Sequence, residues 1–313
     1  MRLALAAVAV LVACAPASPS VSPATTVARA AGWRRVADIP TPRSEVAAAV
    51  FRGVVYIVGG FGGGNIVETY VPDRWTAAPR YPISVDHAMA AGVDTAGTPG
   101  LYVFGGNVSG VAVARSFRFF GDQGWREIAP MPAPRSQAAA AAIGGRIFIV
   151  GGAQGDRLFS PTFVYDTATD RWATAAPIPT PRDHLAVAVI DGRVCAVGGR
   201  KLSLLQNLAI FECYDPATDA WRSMPDAPTA RGGIGAASIG SRLFVTGGEQ
   251  PLGTFKDVDI FDASTGKWTR GPDLPTSRHG LGVVAVGSTI YALSGGPTPG
   301  VSQTPVCEAL DVR

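Results

Sequence analysis

Six Gly-Gly pairs and six tryptophans alternate along this chain of 313 residues. The pairs are Gly59-Gly60, Gly105-Gly106, Gly151-Gly152, Gly198-Gly199, Gly247-Gly248 and Gly295-Gly296, and their first glycines stand 46, 46, 47, 49 and 48 residues apart. Trp33, Trp75, Trp125, Trp172, Trp221 and Trp268, all the Trp there is, fall once per period. A period of this size marks propeller blades or a solenoid, in which each unit buries its faces only against its neighbours. A closed array of such units makes one domain from a length that would otherwise suggest two. Charged residues are 16% of the chain, and 38 Gly and 25 Pro leave no long apolar segment of helical period. That profile suits short strands and tight turns.

The fourth unit shows the grammar. After Pro179-Thr180-Pro181-Arg182, Leu185, Val187 and Val189 alternate with His184, Ala186 and Ala188, a strand with one bulky and one small face. Asp191-Gly192 predicts a hairpin into Arg193 to Val197, which Gly198-Gly199 closes. A third strand over Ala209 to Tyr214, a turn at Asp215 to Asp219 and an outer strand from Trp221 complete the unit. Tyr165-Asp166 with Trp172 and Phe261-Asp262 with Trp268 repeat it. Strand, Gly-Gly, aromatic-Asp turn, Trp and Pro-x-x-Arg together resemble the Kelch repeat over about residues 32–313. The resemblance implies an all-β, six-bladed Kelch-type propeller.

Closure follows from counting strands. The last unit has strands near Leu281 to Val286, Thr289 to Leu293 and Val306 to Val312, but no outer strand. Gly32 to Val36 is an outer strand without a blade, so the termini are expected to complete one blade together and remove the open edges.

Ahead of the repeats, Arg2 precedes an apolar run, Leu3 to Val12, too short to span a bilayer and suited to an export signal. It ends in Leu11-Val12-Ala13-Cys14, which resembles the lipobox of bacterial lipoproteins. That resemblance implies a signal peptide over 1–13, cleavage before Cys14 and acylation of its sulfur and new N-terminus. Two or more acyl chains give the stable anchoring that a single one does not. An ordinary secretory signal cut near Ala15-Pro16-Ala17 would leave Cys14 incidental. Residues 14–31, small and proline-studded, read as a flexible tether. The expected location is therefore the cell envelope, with membrane contact through the lipid anchor alone. A formal net charge of +3 is no nucleic-acid footprint.

In a propeller, the loops between blades and the loops after Gly-Gly share one face, around the mouth of the central channel. Polar residues cluster where the inner strands begin on that face: Arg43 and Glu45, Asp86 and His87, Arg135 and Gln137, Arg182, Asp183 and His184, Arg231, and Arg278 and His279. These are the candidate ligand-binding residues. Five arginines at one repeat position suit a carboxylated sugar, an acidic peptide or a phosphate. The alternative is that each guanidinium ties loop carbonyls of adjacent blades together, since Arg there belongs to the Kelch pattern itself. All three histidines lie at this mouth, in blades 2, 4 and 6. Alternate blades face each other across a channel, so the reading assigns the histidines to hydrogen bonding and expects neither a metal nor a cofactor.

Some Kelch-related propellers are enzymes. Galactose oxidase holds copper through tyrosines and histidines, but six of the seven tyrosines here occupy strand positions that the repeat explains, and only Tyr81 is spare. Bacterial N-acetylneuraminate epimerase resembles this chain in fold and compartment, and would cast Glu45 as base with Arg43 and Arg135 as a carboxylate clamp. No local motif makes that casting specific. Binding is favoured over turnover: long, varied loops follow Gly-Gly, over Asn107 to Ala114, Ala153 to Ser160, Arg200 to Asn207 and Pro297 to Thr304. Leu202, Leu204 and Leu205 in one of them either mark an interface or fold over the blade edge. The expected partner is a protein, or an acidic or saccharide ligand. Finally, Cys195 and Cys213 flank the blade-4 loop symmetrically and suit a cross-strand disulfide, leaving Cys307 free and buried.

Overall fold

The computed structural model describes residues 32–94 and 96–312; the expected signal segment, tether and Cys14 lie outside the described residues. Each repeat forms a four-stranded antiparallel sheet, to which the fifth adds a short strand, Gly253–Thr254. In blade 4 the strands are Ala186–Ile190, Arg193–Val197, Phe211–Asp215 and Ala220–Ser223, paired in chain order. The Asp191-Gly192 hairpin has positive φ at both residues, 48° and 72°, as the twist of the flanking strands demands. Among the described residues the only helices are two single 3-10 turns, Gly121–Gln123 and Leu204–Gln206.

The inner strands of neighbouring blades touch all the way round, including Gly282–Val286 of blade 6 against Ala47–Phe51 of blade 1. Small residues such as Ala48, Ala90, Ala140 and Gly235 line the channel they enclose. The outer strand of blade 6 is supplied by the other end of the chain. Trp33–Arg35 pairs with Cys307–Asp311 in the register Trp33 with Leu310, Arg34 with Ala309 and Arg35 with Glu308. This is the expected closure.

The six tryptophans have one shared task. Each indole Nε1 donates to a carbonyl in the linker that enters its own blade: Trp75 to Ala37 at 2.8 Å, Trp172 to Ala129 at 2.9 Å, and Trp33 to Pro272 at 2.9 Å. Trp125, Trp221 and Trp268 do the same with Pro79, Ala176 and Pro225. Each ring covers its blade edge while its polar atom pins the incoming chain.

The Gly-Gly pairs stand where second strands end against the next blade, except in blade 5, whose strand Arg242–Gln250 runs on through Gly247-Gly248. Gly60 has φ +91°, and a Cβ there would lie 2.4 Å from the Ser44 carbonyl oxygen. Blade 6 corrects the sequence reading by one residue. Its left-handed pair is Ser294, φ 58°, and Gly295, φ 107°, not Gly295-Gly296. Ser294 Oγ donates to the Arg43 carbonyl and accepts the Arg43 amide at 3.2 Å, which holds a non-glycine residue in that conformation. Cys195 lies directly across from Cys213, Cα to Cα 4.0 Å, and the two form the expected disulfide. Cys307 is free and buried.

Candidate functional site at the channel mouth

Each inner strand is entered through three residues that differ in direction. The first position holds Arg43, Val85, Arg135, Arg182, Arg231 and Arg278. All five arginines are at most 1% exposed, so none lines the mouth and the ligand-binding expectation for them is corrected. Each guanidinium turns into its own blade rather than tying adjacent blades together, which corrects the alternative expectation as well. Arg182 donates to the carbonyls of Gly198, Ala196 and Thr180 and pairs with Glu212 at 2.6 Å. Arg43 pairs with Glu68, Arg231 with Asp259 at 2.7 Å and Arg278 with Glu308 at 2.8 Å. These carboxylates occupy one register position, opposite the residue two before the left-handed pair that follows: Ile57, Ala196, Val245 and Ala292. A buried charge persists only when paired and hydrogen-bonded, which this arrangement supplies. Casting Arg43 and Arg135 as a clamp beside Glu45 fails for the same reason: both are fully buried.

The third position forms the mouth: Glu45, His87, Gln137, His184, Gly233 and Gly280. Here the backbone closes a ring of its own. The amide of His87 donates to the Glu45 carbonyl at 3.0 Å, Gln137 to His87 at 3.2 Å, His184 to Gln137 at 2.8 Å, Gly233 to His184 at 2.9 Å and Gly280 to Gly233 at 2.9 Å. The Val46 amide completes the circuit on Gly280 at 3.4 Å. All six residues have positive φ, from 52° to 70°. For the four that carry side chains this costs about 1–2 kcal/mol each, and strain of this kind concentrates at functional sites. The two glycines make room: a Cβ at Gly280 would stand 2.4 Å from Glu45 Oε1.

The second position supplies partners to the third. His87 donates from Nδ1 to Asp86 at 2.6 Å, and His184 donates from Nδ1 to Asp183. Asp86 also accepts from Asn107 at 3.1 Å, and Asp183 from the Leu202 amide at 2.7 Å. His279, also at the second position, reaches into the ring and donates to Glu45 Oε1 at 2.9 Å, with its Nε2 on the Thr298 carbonyl at 3.1 Å. Glu45 Oε2 lies 3.2 Å from Nε2 of His87. The rings of His87 and His184 are 5.2 Å apart, edge to face. The expectation that histidines of alternate blades stand too far apart to share a ligand is thus corrected for this pair. Left-handed backbone at both positions sets their side chains over the opening rather than on its far walls.

Burial opposes charge on these groups, and their mutual contacts decide the outcome. Burial works to raise the Glu45 carboxyl, but His87, the hydrogen bond from His279 and His184 hold it well below the usual carboxylate range. Burial works to lower His87 and His279, and Glu45 with Asp86 or Glu249 overrides it, raising both. For His184 burial wins over Asp183, so its imidazole is lowered.

Glu249 and Arg200 were not singled out by sequence reasoning. Glu249 is 3% exposed, lies 3.6 Å from His279 Nδ1 and pairs with Arg200 at 2.7 Å. Each directly follows a Gly-Gly pair, as Phe61 and Asn107 do. That repeat position borders the mouth, and comparing it across blades would have found both.

A family model described as the KLHDC2/KLHL20/DRC7 Kelch-repeats domain matches residues 67–227, just over half of the chain, and a Kelch motif model matches 230–275. The chain belongs to the Kelch-repeat family. Among curated Kelch proteins it is similar to the Kelch-like protein terF of Aspergillus terreus, 28% identical over 44% of this chain and 22% of the relative. It is also similar to beta-scruin of Limulus polyphemus, 32% identical over 42% of this chain and 16% of the relative. Those matches span about a fifth of the relatives' length. The solved structure of YjhT superposes with a TM-score of 0.74 at 17% identity, covering 88% of this chain and 95% of that one. At that identity the likeness shows the propeller fold.

Proposed function

We propose that this Kelch propeller is an interaction module of a lipid-anchored cell-envelope protein, and that a protein partner sits on the loop face around the channel mouth. One observation carries the reading. The large hydrophobic side chains exposed among the described residues are Val111, Leu202, Leu205, Leu252 and Val301, and every one lies in a loop that follows the Gly-Gly position. Those loops all leave second strands on the mouth face. Leu205 is 83% exposed and Leu252 98%, so they do not fold over the blade edge. Apolar groups gathered on one face mark an interface. The mouth cavity itself, about 90 Å³, is small beside the roughly 300–1,000 Å³ of a drug-sized ligand site. Saccharide binding draws less support, because every indole is committed to a blade linker.

The anchor rests on the Leu-Val-Ala-Cys14 sequence. Photo-crosslinking in the native envelope tests the reading, with the probe at Leu205 and a control at Asp170, in the turn before the outer strand Arg171–Ala175 on the opposite face. A protein captured from Leu205 and not from Asp170 is expected. No protein adduct, or the same adducts from both positions, would overturn it. Metabolic labelling with an alkynyl fatty acid, lost on Cys14→Ser, tests the anchor separately.

A further inference from the structure

The polar groups at the mouth divide into those that are used up and those that still offer a lone pair. His279 gives away both ring nitrogens, to Glu45 and to the Thr298 carbonyl. Glu249 is tied to Arg200 and to the Gly300 amide at 2.9 Å. His87 and His184 differ from His279. Each is anchored through Nδ1 by the aspartate before it; Nε2 of His184 is left for a further ligand, while Nε2 of His87 faces Glu45 Oε2 at 3.2 Å. Glu45 is held at Oε1 by His279, and its Oε2 shares a proton with His87 Nε2 that an incoming cation would displace to solvent, freeing a lone pair on each.

A ring nitrogen of His87, one of His184 and a carboxylate oxygen of Glu45 lie within 4.8 Å of one another. Ligand atoms at roughly 2.0–2.2 Å from one ion stand about 3–4 Å apart, so small side-chain rotations bring the three together. Metal-binding imidazoles usually donate their other nitrogen to a carboxylate, which fixes the tautomer and strengthens the donor. Asp86 and Asp183 stand in that place, themselves oriented by Asn107 and the Leu202 amide. The cavity of about 90 Å³ beside these residues has room for a few waters at roughly 30 Å³ each.

We propose that Glu45, His87 and His184 bind one divalent transition-metal ion of the zinc class, with open coordination positions facing the mouth. Two imidazoles and one carboxylate suit zinc-class ions rather than Mg²⁺ or Ca²⁺, which take oxygen ligands. Asp86 and Asp183 are positioning residues. The site requires no partner protein, so it stands or falls apart from the interaction reading.

The test uses the full chain without a histidine tag, stripped with EDTA and titrated with ZnCl₂ by calorimetry. One Zn²⁺ per chain is expected, with a rise in melting temperature on loading. His184→Gln or Glu45→Gln should weaken binding by more than about 100-fold. Asp183→Asn, which keeps every ligand atom, should weaken it by about 10–100-fold. No saturable binding, or unchanged affinity in His184→Gln, overturns the proposal. X-ray absorption of the zinc-loaded unaltered chain needs no variant: two imidazole scatterers support the site, and none or one overturns it.

Discussion

The guanidinium of Arg135 lies 4.1 Å over the ring of Phe163, in the register position where four other blades place a carboxylate against their arginine. Blade 3 therefore replaces an ion pair with a cation–π contact, supplemented by the Pro161 carbonyl and the Phe159 ring at 4.4 Å. In blade 2 both partners are apolar, Val85 and Phe117. The two positions match each other within each blade: Arg with acid, Arg with Phe, or Val with Phe.

This pairing separates two variants that remove the same group. Arg182→Met strands Glu212, 3% exposed, without its cation, and should cost about 3–5 kcal/mol. Arg135→Met leaves no carboxylate behind. Burial already pushes Arg135 down to about 9, so its loss should cost no more than about 1 kcal/mol, or stabilise. Urea unfolding of both variants at pH 7 compares them. Equal losses would mean that the carbonyl contacts, common to both arginines, carry the stability.

Much of this was legible because a repeat states each position six times. Trp, Gly-Gly and the missing outer strand specify blades, linkers and closure, and the structure agrees at Trp33 with Leu310. What the repeat hides is direction. Arg43 and Glu45 are two residues apart in sequence, yet one points into the blade and the other over the channel, because the left-handed backbone at Glu45 turns the chain. A pattern of residue types carries no φ angle, so the arginines read either as a ligand collar or as ties between blades, and the histidines as distant walls. The sixth pair slipped by one for a similar reason. Ser294 adopts the glycine conformation through its hydroxyl contacts, and a third small residue follows it.

Closure by the first strand has a direct test. Trp33 packs against the buried cluster of Val258, Leu274, Leu281 and Ala292, and its indole holds the linker at Pro272. Removing the chain before Ala37 deletes this strand and exposes the edge of Cys307–Asp311. Because each blade is supported only by its neighbours, opening one interface weakens the whole ring. A single cooperative unfolding transition at clearly lower temperature is expected by calorimetry. An unchanged melting temperature would show that the ring closes without the strand.

Cys307 makes stability depend on alkaline pH. It is fully buried beside Tyr291 and Ile39, and burial pushes its thiol from 9.0 up to about 11. Below pH 9 the thiol is protonated in folded and unfolded chains alike, and the native environment favours that form. Between pH 9 and 11 the unfolded chain releases the proton while the folded chain keeps it. The unfolded state then binds fewer protons, so stability falls with rising pH, by up to about 2–3 kcal/mol for a shift of this size. The buried phenol of Tyr81 is also raised and adds a loss of the same sign. Cys307→Ala should remove the thiol's share while leaving the Cys195–Cys213 disulfide intact. Denaturant unfolding at pH 8 and pH 10.5 checks this as a difference of differences, in which any cavity left by the missing sulfur cancels. An identical pH dependence in both proteins would show that Cys307 does not set it.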